Sequence, residues 1–271
     1  LDEHASYDKT GRVDEPSLAN IRALLSVMDN PQESFPVIHV TGTNGKGSTT
    51  QIVSKLLMAH GLKVGTYTSP HLEDLTERIA RNGTPITHED FAETVAAIAR
   101  VEGLAGVRPT YFEIMTAAAF RYFADEAVDV GVIEVGMLGR WDATNVVRSE
   151  VAVITNIALD HTEFAGPTLQ DIAREKVGIS KPASSLVVGD ENPSLDHIWS
   201  SAERTKLLKR GYDFELMDNQ LAVGGRLIDV RTSRHFYEQL HVPLHGRHQG
   251  DNTSIAVMAV EEFFDAPIAD S

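Results

Sequence analysis

Apolar residues recur along this chain in two rhythms, one helical and one extended. Leu18, Ile21, Leu24, Leu25 and Met28 predict a helix over 18–28. Val37-Ile38-His39-Val40 is short, β-branched and apolar, as a strand buried on both faces should be. Helical spacing returns over 48–60 through Ile52, Val53, Leu56 and Leu57, with Gly61 as the stop, and 64–67 reads as the next strand. Thr87 with Asp90 three residues on resembles a capping box, Asp standing for Glu or Gln, and opens a helix toward Val101. The alanine-rich stretch 112–124 is helical. VDVGVIEV (128–135) and VAVITN (151–156) are near-continuous apolar strands, 169–179 is a helix, 185–188 a strand and 251–264 a last helix.

Strands alternating with helices predict an α/β fold of the phosphate-loop type, a mostly parallel sheet flanked by helices. The pattern changes after about Gly211. There DFELMDNQLAVGGRLIDVRT sets Asn219 and Gly224-Gly225 turn signals between short alternating runs, which predicts a small antiparallel β-rich appendage over about 211–245. Residues 4–16 are a polar opening. The chain starts at Leu1 without methionine, as if partway into a helix, so an excised piece of a longer protein is expected; a processed mature protein is the alternative.

Composition narrows the functions open to this fold. With 271 residues, 42% hydrophobic, the chain can bury the core of one large domain, or of one domain with an appendage. Lysine plus arginine number 24 against 39 aspartate plus glutamate, a formal charge of −15. That surface repels nucleic acid and anionic membranes, so neither is an expected partner and any phosphate contact is a local exception. The absence of cysteine excludes disulfides, thiolate metal sites and cysteine nucleophiles, and fits a reducing cytoplasm. No signal pattern and no run of about 18 apolar residues occurs.

One such exception is HVTGTNGKGSTT (39–50), three glycines, a lysine and several hydroxyls directly after an apolar strand. The strict phosphate-loop pattern fails, because Val40 stands where its first glycine belongs and Gly47 separates Lys46 from Ser48. The physical requirements still hold. A strand precedes and a helix follows, N–H groups at the helix start face an anion, Lys46 adds a point charge, and Ser48 or Thr49 could face magnesium. The loop is read as a holder of nucleotide phosphates; a plain glycine-rich turn is the alternative.

Six motifs then occur in order: GTNGKGS (42–48), TSPHL (68–72), TYFE (110–113), EVGMLGRWDATN (134–145), TNIALDH (155–161) and EKVGISK (175–181). Together they resemble the bifunctional dihydrofolate synthase/folylpolyglutamate synthase family, a branch of the Mur ligase superfamily, and the similarity runs on to HGRHQGDNTSIA (245–256). The resemblance implies an ATP-dependent amide ligase. ATP phosphorylates a carboxylate of dihydropteroate or a reduced folate, and the amino group of L-glutamate attacks the acyl phosphate.

It also implies roles for particular residues. Thr43, Asn44, Gly45, Lys46, Gly47, Ser48 and Asn252 would contact ATP, Lys46 also serving catalysis; a helix cap is the alternative for Asn252. Ser69, Glu134 and His161 match magnesium-binding positions, although an imidazole is an unusual ligand for so hard an ion, and a structural histidine is the alternative. Lys176 matches a catalytic lysine carried as a carbamate, which requires a lowered pKa; a solvated helix lysine paired with Glu175 or Asp171 is the alternative. Thr110, Tyr111, Phe112, Glu113, Trp141, Asp142 and Ala143 match the dihydropteroate site, with ordinary core as the alternative for the two aromatics. Trp141 stands where leucine is usual, Met137 and Leu138 replace a typical leucine-glycine, and Thr253 replaces a common alanine.

The family continues into a second α/β domain that completes the ATP and glutamate sites. Residues 1–271 are therefore expected to be the ATP-binding domain alone, poorly active by itself and, in its parent, a monomer with its own C-terminal domain. Two rivals stand beside this reading: a Mur-type ligase of cell-wall synthesis, and a non-catalytic module that uses a nucleotide as a switch.

Overall fold

A computed structural model describes residues 17–268. The expected helix at Leu1 and the whole polar opening lie outside them. Eight strands form one sheet in the order β4-β3-β2-β5-β1-β6-β7-β8: β1 (Val37–Thr41), β2 (Val64–Tyr67), β3 (Ile79–Arg81), β4 (Thr84–Pro85), β5 (Val130–Glu134), β6 (Val151–Ile154), β7 (Ser185–Val188) and β8 (Lys206–Lys209). From β2 to β8 every pairing is parallel, and β3 and β4 add an antiparallel hairpin at one edge. The mostly parallel sheet read from the sequence is present.

Alternate residues of the central strands feed two faces, as a period of two requires. Ile38, Val40, Val130, Val132, Val151 and Val153 join one core, which contains Val53 and Leu57 of α2 (Lys46–Ala59) and Ile255 to Val260 of the last helix, α8 (His248–Phe264). The opposite face meets α1 (Ala19–Ser26) and α4 (Tyr111–Asp125) through Ile21, Leu24, Phe120 and Phe123; α3 (His88–Ala105) adds Ile98 there. Farther along the sheet, Ala152, Ile154, Leu186 and Val188 bury Ala173 of α6 (Leu169–Lys176) and Trp199 of α7 (Asp196–Ser201). A one-turn helix, α5 (Thr162–Ala165), precedes α6.

The appendage is a three-stranded antiparallel sheet, β9 (Phe214–Ala222), β10 (Gly225–Thr232) and β11 (Phe236–Val242). Its Phe214, Ile228, Val230 and Tyr237 join the core around α8, so that helix is covered on both sides and is buried almost all round. Polar groups clip the two together. Tyr237 Oη and Thr232 Oγ1 donate to Glu261 Oε1 (2.6 and 3.0 Å), while Arg234 donates to Glu261 O (2.6 Å) near the end of the helix.

Several local expectations needed correction. The Thr87–Asp90 box is only half formed: Thr87 Oγ1 accepts from Asp90 N (3.0 Å) and its hydroxyl donates to the Asp90 carboxylate, but the Thr87 N–H is not bonded to that carboxylate. Helix α6 ends at Lys176 and tightens into a 3₁₀ turn over Val177–Ile179. Helix α8 starts three residues before the expected 251, and Asn252 therefore lies inside it and is not a cap.

Candidate active site

The carboxyl ends of β1, β2, β5 and β6 converge, which is where open parallel sheets offer room for ligands. The turn after β1 is held by the turn after β6. Asn156 O and Oδ1 accept from Thr43 N and Asn44 N (both 2.9 Å), and Thr155 Oγ1 donates to Asn44 O (2.6 Å). Ala158 N donates to Thr43 Oγ1 (3.0 Å). Thr43 and Asn44, expected to present donors to phosphate, thus spend their N–H groups on the fold. At Gly45 φ is +80°, and an added Cβ would overlap Asn252 Oδ1, so both backbone conformation and space demand glycine.

Helix α2 opens at Lys46 with no side-chain cap. Thr49 N is the first amide to find a helical partner, Gly45 O at 2.9 Å, and among the described residues the N–H groups of Gly45, Lys46, Gly47 and Ser48 have none. A helix start left open in this way carries concentrated positive potential. Lys46 Nζ bends back to donate to Gly42 O (3.1 Å) and Thr43 O (3.3 Å), keeping one of its three donors unengaged. Ser48 Oγ lies 3.4 Å from Gln249 Nε2, whereas Thr49 is fully buried.

Glu134 ends β5 beneath this turn, only 4% exposed, with its carboxylate 3.6 Å from a Cβ built on Gly47. Ser69 N donates to its Oε2 (3.1 Å). Burial pushes its carboxyl up to about 7, against the pull of the Ser69 N–H and the Lys46 ammonium. No ion pair relieves it among the described residues. Lys176, 1% exposed, donates to Gly42 O (2.8 Å), so two lysines converge on one carbonyl. Burial, then the Lys46 charge, holds the Lys176 amine down at about 8. The solvated-lysine alternative is therefore wrong: Glu175 lies near Arg140 (3.7 Å) and Asp171 pairs with Arg174 (3.1 Å).

His161 is not brought into this cluster by any hydrogen bond or ion pair to Glu134 or Ser69. It directly precedes α5 at φ +49°, half-buried, with Nε2 3.5 Å from Asp160 Oδ2. No group of three or more His, Asp or Glu side chains arranged for a metal occurs among the described residues.

The residues expected to hold the pterin divide into anchors and surfaces. Thr110 and Glu113 form a reciprocal capping box on α4, Thr110 N donating to Glu113 Oε2 (2.7 Å) and Glu113 N to Thr110 Oγ1 (3.2 Å). Asp142 is buried and stitches its own loop, accepting from Met137 N (2.9 Å) and Thr144 N (3.0 Å); Ala143 is buried beside it. Phe112 packs on Gly136 and lies 6.2 Å from the Tyr67 ring, while Tyr111 sits under the Arg78 guanidinium. Trp141 is half exposed.

From α8, Asn252 Nδ2 donates to Gln249 Oε1 (3.0 Å) and its Oδ1 meets Gly45, so this helix supports the turn from below. Gln249, Thr155, Asn156 and Arg78 were not singled out by sequence reasoning. The first three lie within quoted motifs; Arg78 lies in none.

Comparison with known proteins follows the same outline. A family profile, the Mur ligase middle domain, matches residues 40–260. Dihydrofolate synthase/folylpolyglutamate synthase of Mycobacterium tuberculosis is 38% identical over 272 aligned residues, covering 93% of this chain and 56% of the relative. The Bacillus subtilis protein of that name is 37% identical, covering 91% and 59%. Among solved structures, Mycobacterium tuberculosis folylpolyglutamate synthase complexed with ADP and AMPPCP superposes with a TM-score of 0.87 at 38% identity, over 94% of this chain and 60% of that one. An FPGS–AMPPCP–folate complex gives 0.89 at 33% identity, over 99% and 67%. The chain spans less than two thirds of the length of both curated relatives.

Proposed function

This chain belongs to the Mur ligase family through its middle domain, and from that premise we propose that it is the ATP-binding part of a ligase joining L-glutamate to dihydropteroate or a reduced folate. The observation that carries the reading is the uncapped start of α2, with four unpaired N–H groups and Lys46, set against the buried Glu134. Relatives solved with ADP, AMPPCP and folate support ATP and a folate as ligands.

A carboxylate is a poor acyl donor because oxide does not leave; phosphate does. The substrate oxygen attacks the γ-phosphorus and ADP departs, then the glutamate amine attacks the acyl carbon and phosphate departs. In the first step two anions meet. The N–H groups of Gly45 to Ser48 and the Lys46 ammonium would hold the phosphates and take up the charge that develops on the transferred group. Asn252 and Gln249 would keep the turn in shape from behind.

Glu134 and Ser69 fit a magnesium site. A carboxylate buried without a cationic partner, its pKa raised toward 7, is relieved by a hard divalent ion, and hydroxyl and carboxylate oxygens suit magnesium. Once bound, magnesium would neutralise phosphate charge. His161 has weaker support as a third ligand. Lys176 fits a carbamate: it is sequestered and has an amine held near 8, so a neutral fraction is available to carbon dioxide at neutral pH. The longer relatives support a further domain completing the glutamate site; that the parent is a monomer belongs to the same proposal, and the cysteine-free sequence fits a reducing cytoplasm.

The test is titration calorimetry of the chain with AMPPCP and magnesium. Binding by the parent chain and its loss in Lys46→Ala are expected. Equal affinity in the two would remove the assigned phosphate site.

A further inference from the structure

The proposed site leaves one buried cation unexplained. Arg78 ends the 3₁₀ turn at Leu75–Arg78, and its carbonyl accepts from Thr68 N (2.9 Å), one residue before Ser69, whose N–H donates to Glu134. It is only 7% exposed. Among the described residues no carboxylate lies within 4.0 Å of its guanidinium, and the one hydrogen bond of its side chain is Nε donating to His71 Nδ1 at 3.0 Å. The nearby acids are already engaged. The Glu77 carboxylate accepts from Leu72 N (2.8 Å) and Asp74 N (3.1 Å), and Asp74 accepts from Thr76 N (2.9 Å).

A guanidinium removed from water without a counter-charge is costly, and proteins seldom keep one without a use. Neither Nη donates to the protein, yet neither is sealed, so both keep a narrow opening. The fork is also held in aim. His71, accepting at Nδ1, fixes Nε, and the Tyr111 ring lies 5.9 Å from Cζ. Two parallel donors on a planar cation suit a bidentate carboxylate or phosphate; with the phosphates assigned to the start of α2, a carboxylate is the group left for this fork.

We infer that Arg78 is a carboxylate-binding residue, its two Nη groups gripping an organic acid beside Ser69 and Glu134, with His71 as its positioning residue. Two acids of the proposed reaction carry this group: the folate-type acid to be activated, and L-glutamate. The inference rests on the ligase reading for the identity of these acids, not for the existence of the fork.

The experiment is calorimetry on the full chain, loaded with AMPPCP and magnesium, using three probes: dihydropteroate, the same pterin head without its carboxylate, and L-glutamate. In Arg78→Gln the affinity for one of the two acids should fall about 10- to 100-fold, as expected for a charged hydrogen-bonded pair. The carboxylate-free pterin and AMPPCP should bind as before, and Arg78→Lys should recover only part of the loss. Loss confined to dihydropteroate assigns the fork to the acid being activated; loss confined to L-glutamate assigns it to the incoming amino acid. Unchanged affinity for both acids, or equal loss of the carboxylate-free probe, overturns the inference, as does a parent chain that binds AMPPCP and neither acid. A chain that binds an acid through Arg78 but no AMPPCP would overturn the nucleotide reading and leave the fork standing.

Discussion

Replacing Glu134 by Gln should make the metal-free chain more stable at neutral pH. Burial raises this carboxyl from 4.5 to about 7. A group whose folded pKa is raised keeps its proton longer in the folded state, so stability falls as pH climbs from 4.5 through about 7 and is level beyond. At about 1.36 kcal/mol per pKa unit, the ionised group costs the fold about 3 kcal/mol above pH 7. Glutamine is nearly isosteric, retains an oxygen for the Ser69 N–H and cannot ionise. Urea unfolding in a chelator, at intervals from pH 4.5 to 8, would give the difference between variant and parent, from which other titrations such as that of His39 largely cancel. The advantage of the variant should grow from near zero at the acid end to about 3 kcal/mol at pH 8. Magnesium with AMPPCP should narrow it by stabilising the parent more than the variant. A difference that stays flat with pH, or a variant less stable at pH 8, would refute the account of Glu134 as a buried, unrelieved charge.

Two further outcomes are expected. Gly45→Ala forces a side chain into a left-handed backbone against Asn252, and should cost about 1–3 kcal/mol in thermal unfolding and abolish AMPPCP binding; Asn252→Ala in the same chain should restore part of the stability and not the binding. With carbon-13 bicarbonate, a carbamate resonance should appear in the parent and not in Lys176→Met. Because the folded amine is held down at about 8, that signal should rise as pH passes through 8 and more of the amine is neutral, where an ordinary lysine would need pH above 10.

The parallel sheet was legible because a strand buried on both faces leaves a continuous apolar run, and β5 and β6 lie within VDVGVIEV and VAVITN. The edges were not. β4 is two exposed residues including a proline, and β8 is two leucines between lysines, so neither reads as an apolar run. The start of α8 was hidden because HGRHQG looks polar, although Gln249 is buried by tertiary contact alone. The phosphate turn could be read from glycine, lysine and flanking elements. What could not be read was that Thr43 and Asn44 serve Asn156, a partner brought to them only by folding; the Thr110–Glu113 box was local and within reach of its spacing, but went unread. Arg78 escaped for the converse reason, since its meaning lies in the partners it lacks.

The clip between the three-stranded sheet and α8 sets where this molecule can be rebuilt. That helix meets the phosphate turn at Gln249 and Asn252 and is pinned near its far end by Tyr237, Thr232 and Arg234. Seventeen residues make a rod of about 25 Å, so shifting either end tilts the other. The hairpin tip at Val223 and Gly224 stands apart from that rod, almost wholly exposed at Val223 and open around Gly224. A fluorophore or purification tag spliced in there should leave nucleotide affinity intact, while the same insertion beside Arg234 should not.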